Sequence, residues 1–233
     1  MLSLTSLGTE NEMGHSRLCI LAALAMLLAA APSSAQTAPS APWSASATTI
    51  VISEAKTFDS GGATLSGTLY LPKGRQAVAA VVVTHAASSP LQDAALYTHL
   101  KQMLPAMGIA VFTYDRRGHG KSGGTQKTSG FQVLADDAVA AVKMLGADAR
   151  IDPKRVGIWG LSHGGWLSLL AASGDSKVRF VVSISAPVVA PDVQMMFLTD
   201  NAMRVFGYSQ PEIDQMRETR KAVDDYMRGT GER

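Results

Sequence analysis

Apolar and polar residues alternate with a period of two along Thr48 to Thr57 and again along Thr64 to Leu71, both rich in β-branched side chains. That is the pattern of half-buried strands. Asp59-Ser60-Gly61-Gly62 between them is turn-forming and Pro72-Lys73-Gly74 closes the unit, so the pair predicts an antiparallel hairpin. Ala77 to Thr84, with three consecutive valines, and Ile109 to Tyr114 are continuous apolar runs, as required of strands covered on both faces of a parallel sheet. A helix is predicted between them, from Asp93 to Met107, ended by Gly108. Leu134, Ala138, Ala141 and Leu145 share one face of a second helix, Phe131 to Leu145, with Asp136 and Asp137 expected in or near its first turn, where the macrodipole favours carboxylates. Asp152-Pro153 is expected to turn the chain into the short apolar run Arg155 to Trp159; helix over Trp166 to Ser173 and strand over Phe180 to Ser185 follow.

Strands alternating with helices at this spacing demand right-handed crossovers. The fold class is therefore α/β: a mostly parallel sheet with helices on both faces, preceded by the antiparallel hairpin. Sites in such sheets lie at the carboxyl ends of the strands, where the loops after Thr84, Tyr114 and Trp159 gather. Past Pro187 the pattern changes. Asp192 to Phe206 is Met-rich and helical, and Ser209-Gln210-Pro211-Glu212 forms a capping box for another helix. Ile213, Met216, Val223 and Met227 give that helix an apolar stripe, suited either to its own core or to a lid over the site.

The first residues have a different character. Arg17 precedes the apolar run Leu18 to Ala31, and Ser33-Ser34-Ala35 supplies small residues before a cleavage point. Residues 1–35 are thus read as a secretory signal, with Met13 a plausible start because Glu10 and Glu12 are unusual so near an export signal. Residues 36–47, rich in Ala, Pro, Ser and Thr, form a flexible linker; 48–187 form the core and 188–233 a helical cap segment. The expected location is secreted or periplasmic, with no membrane span after cleavage. The single cysteine, Cys19, falls within the signal, which leaves the mature chain no disulfide, thiolate nucleophile or cysteine metal site. A net charge of +2 over 233 residues provides no basic field for nucleic acid.

Gly160-Leu161-Ser162-His163-Gly164-Gly165 follows the run Arg155 to Trp159 and opens the helix, so it reads as strand, sharp turn, helix with a serine at the apex. The five-residue pattern alone is common. Its context makes Ser162 the candidate nucleophile, with Gly160 and Gly164 as the small flanking residues that the turn needs.

Together with Val82-Val83-Thr84-His85, Asp115-Arg116-Arg117-Gly118-His119-Gly120-Lys121-Ser122 and Asp152-Pro153-Lys154-Arg155-Val156, the elbow resembles the α/β-hydrolase superfamily, nearest to bacterial secreted esterases and the serine aminopeptidase-like branch. The resemblance runs from about Thr48 to Arg233. It implies a small-molecule acyl or ester substrate, Ser162 as the acyl-accepting nucleophile, and the backbone N–H groups of His163 and Ala87 as oxyanion donors. It implies no cofactor and no metal. Ala86 stands where the family usually has glycine.

The family's triad runs Ser, Asp or Glu, His in chain order, whereas the histidines here are His15, His85, His99, His119 and His163. His163 adjoins Ser162 and projects another way; His85 is expected to fix its loop, His119 to be structural and His99 to be solvated. Asp192, Asp200, Asp214, Asp224 and Asp225 lie in helical segments with no strand end to present them. The triad acid and histidine are therefore expected to be missing, with the last core strands, and the chain to correspond to the first two-thirds of a hydrolase. Two functions follow from this: a serine hydrolase working through acyl-Ser162, or a truncated, catalytically incompetent protein with at most a binding role.

Overall fold

The hairpin turns on Gly61 and Gly62, whose φ angles of 48° and 77° give a two-residue turn matched to the twist of the strands it joins. β1 (Val51–Ser60) and β2 (Ala63–Pro72) consequently pair antiparallel along their whole length, Val51 opposite Pro72 and Ser60 opposite Ala63. The computed structural model describes residues 49–186 and 188–230, without the side chains of Thr128 and Met227. The signal and linker inferred for 1–47 lie outside the described residues.

Beyond the hairpin come β3 (Val78–Thr84), β4 (Ile109–Tyr114), β5 (Ile151–Leu161) and β6 (Val181–Ile184). The sheet order is β1-β2-β4-β3-β5-β6, antiparallel from β1 to β4 and parallel from β4 to β6. The apolar runs are continuous because both faces are covered. Ala80, Val82, Ala110, Phe112, Val156 and Ile158 pack on one side, under α2 (Phe131–Gly146) and α3 (His163–Gly174). Val83 and Val111 face the other way, onto Tyr97 and Leu100 at the start of α1 (Thr98–Ala106). Phe58 meets Phe112 and Tyr114 edge-on at 5.7 and 5.5 Å, which ties the hairpin to the parallel part of the sheet.

Three expectations need correction. Asp136 and Asp137 lie near but not in the first turn of α2, which holds no acidic residue, and Arg117 rather than the macrodipole accounts for Asp137, which is fully buried and bonded to it through both carboxylate oxygens, at 2.5 and 3.0 Å. Asp152 and Pro153 belong to β5 rather than to a turn before it. They lie where the register with β3 slips between the pairs Val78–Ile151 and Ala80–Val156, an irregularity that accommodates a residue with no N–H to donate. The helix expected from Asp93 begins at Thr98, after a 3-10 turn at Ala95–Tyr97.

α4 (Pro191–Val205) and α5 (Gln210–Met227) pack against one another around a hollow of about 540 Å³ lined by Val193, Met196 and Phe197 with charged residues of both helices. The Ser209 N–H donates to Glu212 Oε2 at 2.7 Å, as the capping box requires. The stripe foreseen on α5 is only partly covered: Ile213 is buried, but Val223 is 52% exposed. No described helix is long and apolar enough to cross a membrane.

One ion cluster outside the site carries a pH prediction. Arg150 donates to both carboxylate oxygens of Glu54, at 2.6 and 2.8 Å, and to both of Asp148, at 2.9 and 2.7 Å. The Arg150 hydrogen bonds hold both carboxyl groups down to about 2. Folded values below the unfolded ones mean that the stabilisation is complete above about pH 4.5 and is lost as the pH falls toward about 2. Solvent screening at these part-exposed side chains limits it to about 1 kcal/mol. Thermal melts of the wild type and Arg150→Gln should therefore differ at about pH 6 and converge near pH 2.

Candidate active site

At the carboxyl end of β5 the chain reverses into α3 at Ser162, which has φ 54° and ψ −119°. A positive φ at a residue with a Cβ is strained, and here the surroundings impose it. The Ser162 N–H donates to Ile184 O at 2.8 Å and the Ser162 carbonyl accepts from Gly165 N at 2.8 Å, so the residue is fixed from both sides while remaining exposed. A methyl group on Gly160 would collide with the Gly164 carbonyl and Thr84 Oγ1, and one on Gly164 with the carbonyls of Thr84 and His85. The buried Thr84 hydroxyl donates to Gly164 O at 2.8 Å and thereby joins the end of β3 to the first turn of α3. His163 is the first residue of α3, where backbone N–H groups have no partner within the helix and the dipole favours negative charge.

The loop after β3 faces this turn. Ala86 does not need the conformation that glycine would supply: among the described non-glycine residues positive φ occurs at Ala77, Ser162 and Ser185. The Ala86 N–H donates to the Tyr97 hydroxyl at 3.0 Å, and that hydroxyl donates to Ser89 O at 2.9 Å. Arg116 Nη2 donates to the Ala87 carbonyl at 3.2 Å, and Arg116 N to Pro90 O at 2.8 Å. The Ala86 N–H is thus occupied, and the next residue, Ala87, is exposed. Sequence pattern alone assigns no individual role to Tyr97 or Arg116: Tyr97 falls within the helix expected from Asp93 to Met107, and Arg116 within the Asp115 to Ser122 motif.

The Asp115 to Ser122 loop is a scaffold. The Asp115 carboxylate accepts from Gln92 N at 3.0 Å and Lys121 N at 2.9 Å, and Ser122 Oγ donates to Asp115 O at 2.5 Å. Arg117 crosses to Asp137 and donates to Ser60 O at 2.7 Å, which binds loop, hairpin and α2 together.

The described histidines make their contacts away from the Ser162 hydroxyl. His85, 1% exposed, donates from Nε2 to Tyr114 O at 2.5 Å, and burial lowers its pKa to about 4 against the opposing effect of that bond. It therefore fixes the β3 loop to the end of β4, as expected. His119 Nδ1 contacts Arg117 O at 3.1 Å, and His99 is exposed beside Trp159. His163 lies edge-on to Phe131, with ring centroids 4.8 Å apart. Burial and, after it, the Arg116 charge hold its pKa below the usual range. No described histidine is hydrogen-bonded to the Ser162 hydroxyl. His15 lies outside the described residues.

A six-stranded, mostly parallel sheet bearing a strained serine between β5 and α3 is the architecture of an α/β hydrolase. The chain belongs to the serine aminopeptidase, S33, family, whose model matches residues 75–227. Among curated proteins it is similar to polyketide transferase claH of Penicillium crustosum, 32% identical over 146 residues covering 60% of this chain and 45% of the relative. It is also similar to thiohydrolase apmlB of Arthrinium phaeospermum, 33% identical over 137 residues, 58% of this chain and 43% of the relative. The chain thus spans about half the length of the curated relatives it matches. Among solved structures, the alpha/beta hydrolase GrgF from Penicillium sp. sh18 superposes with a TM-score of 0.53 at 22% identity, over 68% of this chain and 56% of that one. A cold-adapted esterase from an Arctic intertidal metagenomic library gives 0.51 at 18%, over 64% and 68%. These two likenesses bear on the fold alone.

Proposed function

We propose that the protein is a serine hydrolase that cleaves a carboxylic ester or related acyl bond through an acyl-Ser162 intermediate. The observation that carries this reading is the strained, exposed serine at the head of α3, held by the Ile184 carbonyl on one side and the Gly165 N–H on the other. Ser162 Oγ attacks the acyl carbon and its proton passes to a base. The carbonyl oxygen becomes an oxyanion that accepts from the N–H groups of His163 and Ala87; it then re-forms its double bond as the alcohol, thiol or amine departs. Water deacylates the serine by the same route. The curated relatives' names, a polyketide transferase and thiohydrolases, bring thioesters within the class of bonds considered.

On this reading the nucleophile and two oxyanion donors are in hand, while no described histidine is hydrogen-bonded to the Ser162 hydroxyl, which bears directly on how fast the chain can act. A fluorophosphonate forms a stable adduct with an elbow serine once a base takes the hydroxyl proton, and imidazole in solution can serve as that base. Mass analysis of the peptide bearing Ser162 should find the adduct there; an adduct confined to another residue would remove the nucleophile assignment.

A further inference from the structure

Beside the two proposed oxyanion donors lies a cavity of about 270 Å³ lined by Ala87, Arg116, Arg117, Gln126, Ser129 and His163, among others. Its two arginines differ in kind. Arg117 is neutralised by Asp137. Arg116 is only 8% exposed, yet its side chain makes one hydrogen bond, to the Ala87 carbonyl, and no ion pair with any described carboxylate. Its neighbour Asp115 is turned toward Gln92 and Lys121. A buried charge with no counter-ion is strongly unfavourable, and such a group is stable only if something else supplies the opposite charge. His163 Nδ1 is also buried without a partner. The cavity is therefore lined by one uncompensated cation, next to the residues proposed as oxyanion donors.

We propose that this cavity receives a carboxylate borne by the substrate and pairs it with the Arg116 guanidinium, so that the enzyme's substrates are carboxylate-bearing esters or thioesters rather than neutral ones. One uncompensated positive charge matches a singly charged carboxylate and not a phosphate dianion. The planar guanidinium suits a carboxylate's two oxygens, and its remaining N–H groups are available because only the Ala87 carbonyl engages it. The inference depends on the Ser162 reading for the position of the ester, but not for the binding of the anion.

The test is calorimetric titration of the full chain at low ionic strength with monomethyl glutarate, which carries one ester and one carboxylate, and separately with inorganic phosphate. Monomethyl glutarate should saturate the wild type and Ser162→Ala alike, and Arg116→Gln should weaken it about tenfold or more. Gln126→Glu, at an exposed residue, brings a carboxylate to the same cavity without touching the Ala87 contact. It should weaken binding similarly, which keeps the proposal testable if Arg116→Gln fails to fold. Absence of saturable binding to the wild type, or wild-type affinity retained in both charge variants, overturns the proposal; tighter binding of phosphate than of monomethyl glutarate overturns the carboxylate assignment. Arg116-dependent binding together with a Ser162 that takes no fluorophosphonate would leave the anion site standing and remove only the acyl-enzyme.

Discussion

Ser162→Ala is expected to abolish covalent labelling by a fluorophosphonate in the presence of imidazole and, with it, the imidazole-dependent hydrolysis of p-nitrophenyl acetate in excess of what imidazole does without the protein. The reasoning separates what the elbow supplies from what a base supplies. Oxyanion donors and substrate binding alone leave serine hydrolases roughly 10³ to 10⁴-fold faster than water, about 4 to 5 kcal/mol of barrier. With no described histidine at the Ser162 hydroxyl, the wild-type chain should fall in this range, and that part should survive Ser162→Ala within a few-fold. A serine hydroxyl at its ordinary pKa is a poor nucleophile until a neighbouring base takes its proton. Imidazole in solution supplies that base, so the rate it adds beyond its own attack on the ester should depend on Ser162. A much faster wild-type rate without imidazole, lost in the alanine variant, would show that a histidine already acts as base, and His85 would be the first to replace.

Asp137→Ala should be the most damaging single change to the fold, costing about 3 to 5 kcal/mol and lowering the melting temperature by about 10 °C. The cost arises from what is left behind. Arg117 is 7% exposed and bound to Asp137 at both carboxylate oxygens, so removing the carboxylate strands a buried guanidinium. Replacing both partners by apolar residues, as in Arg117→Met with Asp137→Leu, should recover much of the loss, because the uncompensated charge disappears with them. The Ser60 carbonyl would still lose its donor, so recovery should be incomplete. Thermal melts of the single and double variants decide this; a single variant within about 1 kcal/mol of wild type would show the pair to be of little consequence.

The features legible in the sequence were those carried by local pattern. The β-branched alternation and the glycine pair gave the hairpin, the valine run gave a strand covered on both faces, and the serine flanked by glycines gave the elbow. What escaped was set by long-range pairing. Asp137 beside Asp136 resembled a surface carboxylate near a helix start, and only folding brings Arg117, twenty residues away, against it. Pro153 looked like a turn residue because the slip in register that tolerates it depends on β3. Ala86 stands where the family usually has glycine, but its backbone takes no positive φ, and Tyr97, eleven residues on, supplies the partner for its N–H. The apolar stripe of α5 had the right spacing, but α4 covers only part of it, and spacing cannot tell how much partner surface a stripe will meet.

The backbone of Ser162 has one further consequence. At φ 54° and ψ −119° the residue occupies a conformation that glycine adopts freely and serine does not, and its hydroxyl forms no hydrogen bond with the described residues that would offset the strain. Ser162→Gly should therefore raise the unfolding free energy by about 1 kcal/mol, less the greater backbone entropy that glycine brings to the unfolded chain, and a chemical melt would detect it. Fold stability and chemistry pull in opposite directions at this position. A lineage that had stopped using the hydroxyl could drift to glycine and gain robustness by doing so, and the serine stands in this chain against that gradient.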